Sequence, residues 1–310
     1  MNWPRLPFSE WRETADALQL WLQVIGKVRL SLTPWLNHSW QVPFYVTARG
    51  LGTSLIPYGA EAIDLEFDFV GHRLVGRSSA GRAAELPLGP MSVAEFYART
   101  LALLKALDVA ITINPLPSEL AEPVAFGDDR KPRPYDAAAV HRFWRALLQA
   151  DRLLKLFRTG FLGKASPVHL FWGGFDLAVT PFSGRPAPLH PGGIPGLSDR
   201  VTREAYSHEV SSAGFWPGSD LFPEAAFYSY AYPQPEGFAN APVPPGAKYD
   251  SALGEFILPY EVVRAADDPD TLVLDFLQKT YAAAASLGRW DREGLECDLG
   301  IPNRPRLLRD

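Results

Sequence analysis

The chain is 310 residues long and contains a single cysteine, Cys297. One cysteine excludes an internal disulfide and a zinc site built from cysteine ligands, and it fits a reducing compartment. No apolar run approaches the ~20 residues that a membrane-spanning helix needs. The first residues, MNWPRLPFSEW, also lack the basic start and apolar centre of a signal peptide. These absences predict a soluble cytoplasmic protein without a membrane partner.

The chain also lacks an excess of positive charge, since its formal net charge is −5 at pH 7. A dedicated nucleic-acid-binding protein normally carries a basic domain, so we expect no nucleic-acid partner. Hydrophobic residues make up 47% of the chain and charged residues 21%, which is typical of a globular protein. The expectation of a small-molecule ligand rests on the candidate site described below, and the composition leaves the oligomeric state open.

Several catalytic motifs are missing as well. The segment 160–165 has a Gly-Lys pair without the spacing or the final Ser/Thr of a phosphate loop, and the segment 50–52 lacks the third glycine of a dinucleotide site. The zinc-protease helix motif is absent, because it requires a second histidine three residues after His208-Glu209 and that position is Ser212. No G-x-S-x-G nucleophile elbow is present. Nucleotide chemistry and serine hydrolysis by the common folds are both disfavoured.

The pattern of elements divides the chain into two halves. Each half contains a helix, several antiparallel strands and a second helix, which predicts an α+β protein of two similar helix-flanked antiparallel β-sheet units. We place the first unit at residues 1–113, a Pro-rich linker at 114–135, and the second unit, with the candidate site, at 136–310. A pseudo-duplication would explain the shared order, although no residue-level repeat supports it.

Local signals give expectations for individual elements. Four helices have candidate N-terminal caps, which are Ser9, Ser92 with Glu95, Asp136, and Asp268 before Pro269. In residues 27–32, apolar and polar side chains alternate, which predicts a strand directly after the first helix. The same alternation in residues 63–69 is the clearest sign of a half-buried strand.

The segment 166–185, SPVHLFWGGFDLAVTPFSGR, predicts a β-hairpin with one apolar and one polar face. Gly173-Gly174 is the expected two-residue turn, with positive φ at both positions. The pairs outward from this turn are Trp172 with Phe175, Phe171 with Asp176, Leu170 with Leu177, and His169 with Ala178. On the polar face, His169 and Asp176 are diagonal neighbours with Cα atoms about 7–8 Å apart, so their side chains are close enough to share a ligand or a water.

A further strand is expected at residues 205–211, within the segment 204–218. It carries His208 and Glu209 on opposite faces, so only one of them can face His169. Imidazole and carboxylate groups together permit general acid–base catalysis, because histidine titrates near neutrality. His169 and His208 with one carboxylate, such as Asp176, could instead hold a divalent metal. The alternative for each residue is structural: a hydrogen-bonded core histidine, or a carboxylate bonded to backbone or arginine.

Aromatic side chains are dense in the same half. Tyr228 and Tyr230 belong to a stripe of alternating tyrosines, and Trp216 lies between Phe215 and Pro217. These residues could form the wall of a pocket for an aromatic, sugar-like or cationic ligand. The structural alternatives are that the tyrosines pack within the sheet and that Trp216 fills a space in the core.

Eight segments carry a family resemblance: WPRLPFSEWRET at Trp3, WLQVIGKVRL at Trp21, YVTARGL at Tyr45, HRFWRALLQADR at His141, the hairpin at 166–185, EAYSHEVSSAGFWPG at Glu204, AFYSYAYPQP at Ala226, and GEFILPY at Gly254. Through them the chain resembles a bacterial family, domain of unknown function family 5996, over nearly its whole length. The resemblance implies membership of that family and assigns neither an activity nor catalytic residues.

The leading hypothesis is a cytoplasmic small-molecule enzyme, with or without a divalent metal. Its candidate catalytic residues are His169, Asp176, His208 and Glu209; its substrate wall is Trp216, Tyr228 and Tyr230; its metal ligands would be His169 and His208. The alternatives are a non-catalytic binding or sensing protein with an aromatic pocket, and a structural or interaction protein. Histidines that meet a carboxylate in one cleft would favour the enzyme, whereas a tyrosine-lined cleft without them would favour the binding protein.

Overall fold

A computed structural model describes residues 3–220 and 222–306 and shows an α+β fold with two antiparallel sheets. The first sheet has six strands, which are β1 (Tyr45–Val46), β2 (Gly50–Gly52), β3 (Ile56–Tyr58), β4 (Glu61–Asp68), β5 (Arg73–Ser78) and β6 (Ala83–Pro87). Their order is β1-β2-β4-β5-β6, and β3 pairs with β4. The strand predicted from the alternation in residues 63–69 is confirmed as β4, whose Ile63, Leu65 and Phe67 are buried.

The second sheet has seven strands and carries the candidate site. They are β7 (His169–Phe171), β8 (Asp176–Val179), β9 (Phe182–Pro186), β10 (His208–Trp216), β11 (Ala226–Tyr232), β12 (Lys248–Asp250) and β13 (Glu255–Pro259). Their order is β12-β13-β11-β10-β8-β7, with β9 paired to β10. The expected α+β class with two antiparallel sheet units is therefore confirmed.

Seven α-helices lie in the described part of the chain: α1 (Arg12–Leu32), α2 (Val93–Ala106), α3 (Ala137–Arg158), α4 (Asp199–Ala205), α5 (Tyr260–Ala265), α6 (Pro269–Leu287) and α7 (Arg292–Leu295). Three of the four expected caps are confirmed, because Ser92, Asp136 and Asp268 each accept a hydrogen bond from the backbone N–H three residues later. The cap expected at Ser9 is wrong, since α1 begins after Trp11 without a side-chain cap.

The strand expected at residues 27–32 is also wrong, because α1 continues to Leu32. The sequence offers no breaker until Pro34, so the helix has no reason to end earlier. Lys27 and Arg29 are buried together with Val28, so the helix is enclosed as far as Arg29 and shows no polar face there. An enclosed helix loses its 3.6-residue pattern, which explains why its last two turns resemble a strand in the sequence.

One large hydrophobic core joins the two halves of the chain. It includes Trp21 and Phe67 from the first half and Phe143, Leu177 and Phe276 from the second. Residues 114–135, the expected linker, contribute the buried Phe126 to it. Among the described residues, no helix is long and apolar enough to cross a membrane.

Candidate functional site

The turn of the hairpin differs from its expected form. The loop has four residues, Trp172–Phe175, and the residue with positive φ is Phe175 (59°), not Gly173 or Gly174. The glycines are needed for space: a Cβ on Gly173 would lie 1.9 Å from Glu119 Oε1, and one on Gly174 would lie 2.7 Å from an Asp176 oxygen. The expected two-residue turn is therefore wrong, and the pair of glycines admits two carboxyl groups.

The register of the hairpin strands is confirmed. His169 pairs with Ala178, Leu170 with Leu177, and Phe171 with Asp176. Neighbouring strands extend the same face, because Gly214 lies opposite both Ala178 and Tyr228, and Ser212 lies opposite Tyr230. Asp176, Tyr228 and Tyr230 therefore share one face of the second sheet, as the alternation in the sequence predicts.

That face forms the floor of a cleft with two lobes. The acidic lobe, of about 430 Å³, is lined by Glu119, Gly174, Asp176, His190, Tyr206, Trp216, Tyr228, Tyr230, Ala231, Tyr232, Leu253, Gly254 and Glu255. The apolar lobe, of about 440 Å³, extends toward α1 and α4, and its lining includes Lys27, Trp35, Trp40, Phe171, Trp172 and Phe182. Asp176, Tyr228, Tyr230, Tyr206 and Glu119 line both lobes, so the two lobes are continuous.

Three carboxyl groups of the acidic lobe have raised pKa values. Burial raises the pKa of Asp176 from 3.8 to about 6, although it accepts a hydrogen bond from the Tyr228 hydroxyl. Burial, reinforced by the charge of Asp176, raises the pKa of Glu119 and that of Glu255 to about 7. Glu119 is exposed as a residue, but its carboxyl group lies against Gly173. Carboxyl groups with such pKa values can exchange protons near neutral pH.

Tyrosine side chains connect Asp176 to the rest of the wall. The Tyr206 and Tyr230 hydroxyls lie 2.8 Å apart, and the Tyr228 and Tyr230 rings stack with centroids 6.1 Å apart. Burial raises the pKa of Tyr206 to about 12, so this hydroxyl stays protonated at neutral pH. Trp216 stacks on Phe222 at 5.4 Å and lines the acidic lobe. The three expected wall residues therefore all line the cleft.

His169 lies on the expected face but outside the cleft. Its side chain is 1% exposed, and its ring packs against Phe171 at 4.8 Å and Tyr45 at 6.3 Å. Burial, together with the charge of Arg29, lowers the pKa of His169 to about 3, so the ring is neutral. Its Nδ1 atom has no hydrogen-bond partner among the described residues. The diagonal placement beside Asp176 therefore does not bring the imidazole to the cleft.

Neither His208 nor Glu209 lines either lobe of the cleft. The His208 Nδ1 atom lies 3.0 Å from the Ser207 hydroxyl, and its ring lies 6.2 Å from the ring of His38. Glu209 forms an ion pair with Arg185 at 2.6 Å. Among the described residues, no group of three or more histidine, cysteine, aspartate or glutamate side chains could hold a metal ion. Of the four candidate catalytic residues, the structure places only Asp176 in the cleft.

Three charged residues of the cleft, Glu119, Glu255 and Lys27, are not among the site residues expected from the sequence. Glu119 falls in the expected linker, Glu255 appears only within a family segment, and Lys27 belongs to the polar positions of the strand expected at residues 27–32. A signal existed for Glu255, because it alternates with Ile257 on a strand that pairs with the tyrosine strand. No local pattern marks Glu119, whose position depends on contacts between distant parts of the chain.

The comparisons with known proteins agree with the resemblance noted in the sequence. No curated protein and no solved structure matches this chain. One family model, described as a family of unknown function (DUF5996), matches residues 3–297. Because that match covers nearly the whole chain, the protein belongs to the DUF5996 family of unknown function.

Proposed function

We propose that the protein binds a small organic cation, such as a primary amine, in the acidic lobe of the cleft. The observation that carries this proposal is the set of three carboxyl groups, Glu119, Asp176 and Glu255, in a lobe whose described lining contains no lysine or arginine. Buried carboxylates without a counter-ion are costly, so these groups hold protons at unusually high pH. A cationic ligand would supply the missing positive charge.

An organic cation fits the lobe better than a metal ion does. The carboxyl groups do not converge into a metal-binding set among the described residues. The lobe is instead lined by aromatic rings, including those of Tyr228, Tyr230 and Trp216. The faces of such rings attract organic cations and also pack against the apolar part of a ligand. We therefore infer an ammonium group attached to an apolar or aromatic body.

The neighbouring lobe suggests where that body would lie. Asp176, Tyr228 and Tyr230 line both lobes, so a ligand held by Asp176 can extend into the apolar lobe. There it would meet the side chains of Trp172 and Phe171. Concave sites with a mostly apolar lining and a few polar groups are typical of small-molecule binding. This arrangement supports the hypothesis of a binding or sensing protein.

The test is a calorimetric titration with three probes that share a phenyl ring and differ in charge: phenethylamine, 2-phenylethanol and phenylacetate. At pH 7.5 we expect the amine to bind at least ten-fold more tightly than the alcohol and the anion not to bind. Asp176→Asn and Glu255→Gln should lower the affinity for the amine, whereas Asp267→Asn, at an exposed position, should leave it unchanged. Equal affinities for the amine and the alcohol would refute the proposal.

General acid–base catalysis is a second candidate function, favoured by one observation. The pKa of Asp176 is about 6 and that of Glu119 about 7, so each carboxyl group can accept or donate a proton at neutral pH. This supports a carboxylate-based form of the enzyme hypothesis rather than one based on His169. In D₂O, a protein that catalyses proton transfer should exchange deuterium into an acidic C–H bond of a bound amine, which mass spectrometry detects, and Asp176→Asn should abolish this exchange. An unchanged ligand would leave binding as the function.

A further inference from the structure

Lys27 is an unusual lysine. It lies on α1, is 3% exposed, and lines the apolar lobe of the cleft. The other six lysines of the chain are all exposed. Among the described residues, no carboxylate forms an ion pair with Lys27. A buried ammonium group without a counter-ion is unfavourable, so the position of this side chain calls for an explanation.

The amine is held by one hydrogen bond and one ring. Lys27 Nζ lies 3.1 Å from Ser118 Oγ and 5.5 Å from the centre of the Trp172 ring. The ring face offsets part of the cost of burying the charge. One hydroxyl partner leaves the remaining bonding capacity of the amine free toward the lobe. Because Lys27 lines the apolar lobe, this capacity is available to a ligand that occupies the lobe.

Both neighbours of the amine are themselves fixed. Gln23 holds the backbone of Ser118 by two hydrogen bonds: the Ser118 N–H donates to Gln23 Oε1 at 2.7 Å, and Gln23 Nε2 donates to the Ser118 carbonyl at 3.0 Å. The Trp172 indole N–H donates to the Val42 carbonyl at 3.1 Å. Gly26 lets this indole approach α1, since a Cβ there would lie 2.3 Å from Trp172 Nε1. Such rigid support is what a reactive group requires.

We propose that Lys27 is the attachment point for a carbonyl compound, an aldehyde or ketone with an apolar or aromatic body, which it binds as an imine in the apolar lobe. The inference does not depend on the cation proposal, because Lys27 lines the apolar lobe only. The aromatic side chains of that lobe favour an aromatic carbonyl compound.

The chemistry requires a neutral amine. Burial lowers the pKa of Lys27 from its ordinary value of 10.5, which increases the neutral fraction at physiological pH. The nitrogen lone pair attacks the carbonyl carbon, and the carbonyl oxygen takes up the proton that the nitrogen loses, which gives a carbinolamine. A second proton then passes from nitrogen to the hydroxyl oxygen, the C–O bond breaks, and water leaves as the C=N bond forms. Ser118 Oγ, 3.1 Å from Nζ, is placed to pass these protons.

The test traps the imine on the native protein. We would incubate the full chain with 4-methoxybenzaldehyde and sodium cyanoborohydride at pH 7, where hydride reduction turns an imine into a stable secondary amine. Peptide mass spectrometry then gives the labelling rate of each lysine. We expect Lys27 to be labelled at least ten-fold faster than the exposed Lys105 and Lys155. Equal or slower labelling of Lys27 would overturn the proposal.

Two variants sharpen the result. Lys27→Arg keeps a positive charge on α1 but cannot form the imine, so the rapid phase should disappear while the exposed lysines react as before. Ser118→Ala should slow labelling of Lys27 and leave Lys105 unchanged. If the rapid phase persists in Lys27→Arg, the reactive amine is another lysine and the proposal is wrong.

Discussion

Replacing Asp176 by asparagine should remove a loss of stability that develops as the pH rises. In the folded protein, burial raises the pKa of this carboxyl group from 3.8 to about 6. The folded chain therefore binds the proton more tightly than the unfolded chain, and ionisation between about pH 4 and pH 6 favours unfolding. A shift of about two pKa units corresponds to about 3 kcal/mol over the whole range, at 1.36 kcal/mol per unit.

The assay is urea denaturation of the wild-type protein and of Asp176→Asn at pH 4.5, 5.5, 6.5 and 7.5. Relative to wild type, the free energy of unfolding of the variant should increase by about 2 kcal/mol between pH 4.5 and pH 7.5, and most of the change should occur below pH 6.5. Asp267→Asn, at an exposed position, should follow the wild type. Parallel curves for wild type and Asp176→Asn would show that Asp176 is not held protonated, and would refute the reasoning.

Three further predictions concern residues in and around the site. Gly173→Ala should displace Glu119, because a Glu119 oxygen would lie 1.9 Å from the new Cβ. Calorimetric titration should then show phenethylamine binding weakened at least five-fold. An unchanged affinity would contradict the placement of Glu119 at the turn. The pKa of His169 is about 3 in the folded protein, so the free energy of unfolding falls as the pH drops below about 6.5. His169→Leu should remove about 2–3 kcal/mol of that loss between pH 7 and pH 4.5 in urea titrations. The same pH dependence in the variant and the wild type would contradict the burial of a neutral imidazole. Gly26→Ala should cost about 1–3 kcal/mol of unfolding free energy, because its Cβ would overlap Trp172; a stability equal to that of wild type would contradict the close packing.

The sequence predicted the parts of the fold that local patterns determine. The register of His169, Leu170 and Phe171 followed from the alternation of the hairpin and is confirmed. The caps at Ser92 and Asp136 followed from the chemistry of helix starts. The residues at the end of α1 were misassigned, because an enclosed helix has no polar face to reveal its period.

The candidate site was predicted only in part, and the reason is its dependence on distant contacts. Asp176, Tyr228 and Tyr230 share a sheet face, which alternation along the strands can show. Glu119 reaches the turn from a segment without a regular pattern, and Lys27 is buried where α1 packs against Trp172. His169 illustrates the opposite case: it has the expected position on its strand, but a tyrosine from the first half covers it.

The most direct test of the central claim is the number of protons exchanged when an amine binds. Calorimetric titration of phenethylamine at pH 6.5, in buffers of different ionisation enthalpy, measures that number. Because Glu119 and Glu255 have pKa values of about 7, a bound ammonium group should lower them, and the complex should release protons, approaching one per ligand. The release should vanish at pH 8.5, where the groups are already ionised. Binding without proton release at pH 6.5, or with proton uptake, would contradict the proposal that these carboxyl groups receive the cation.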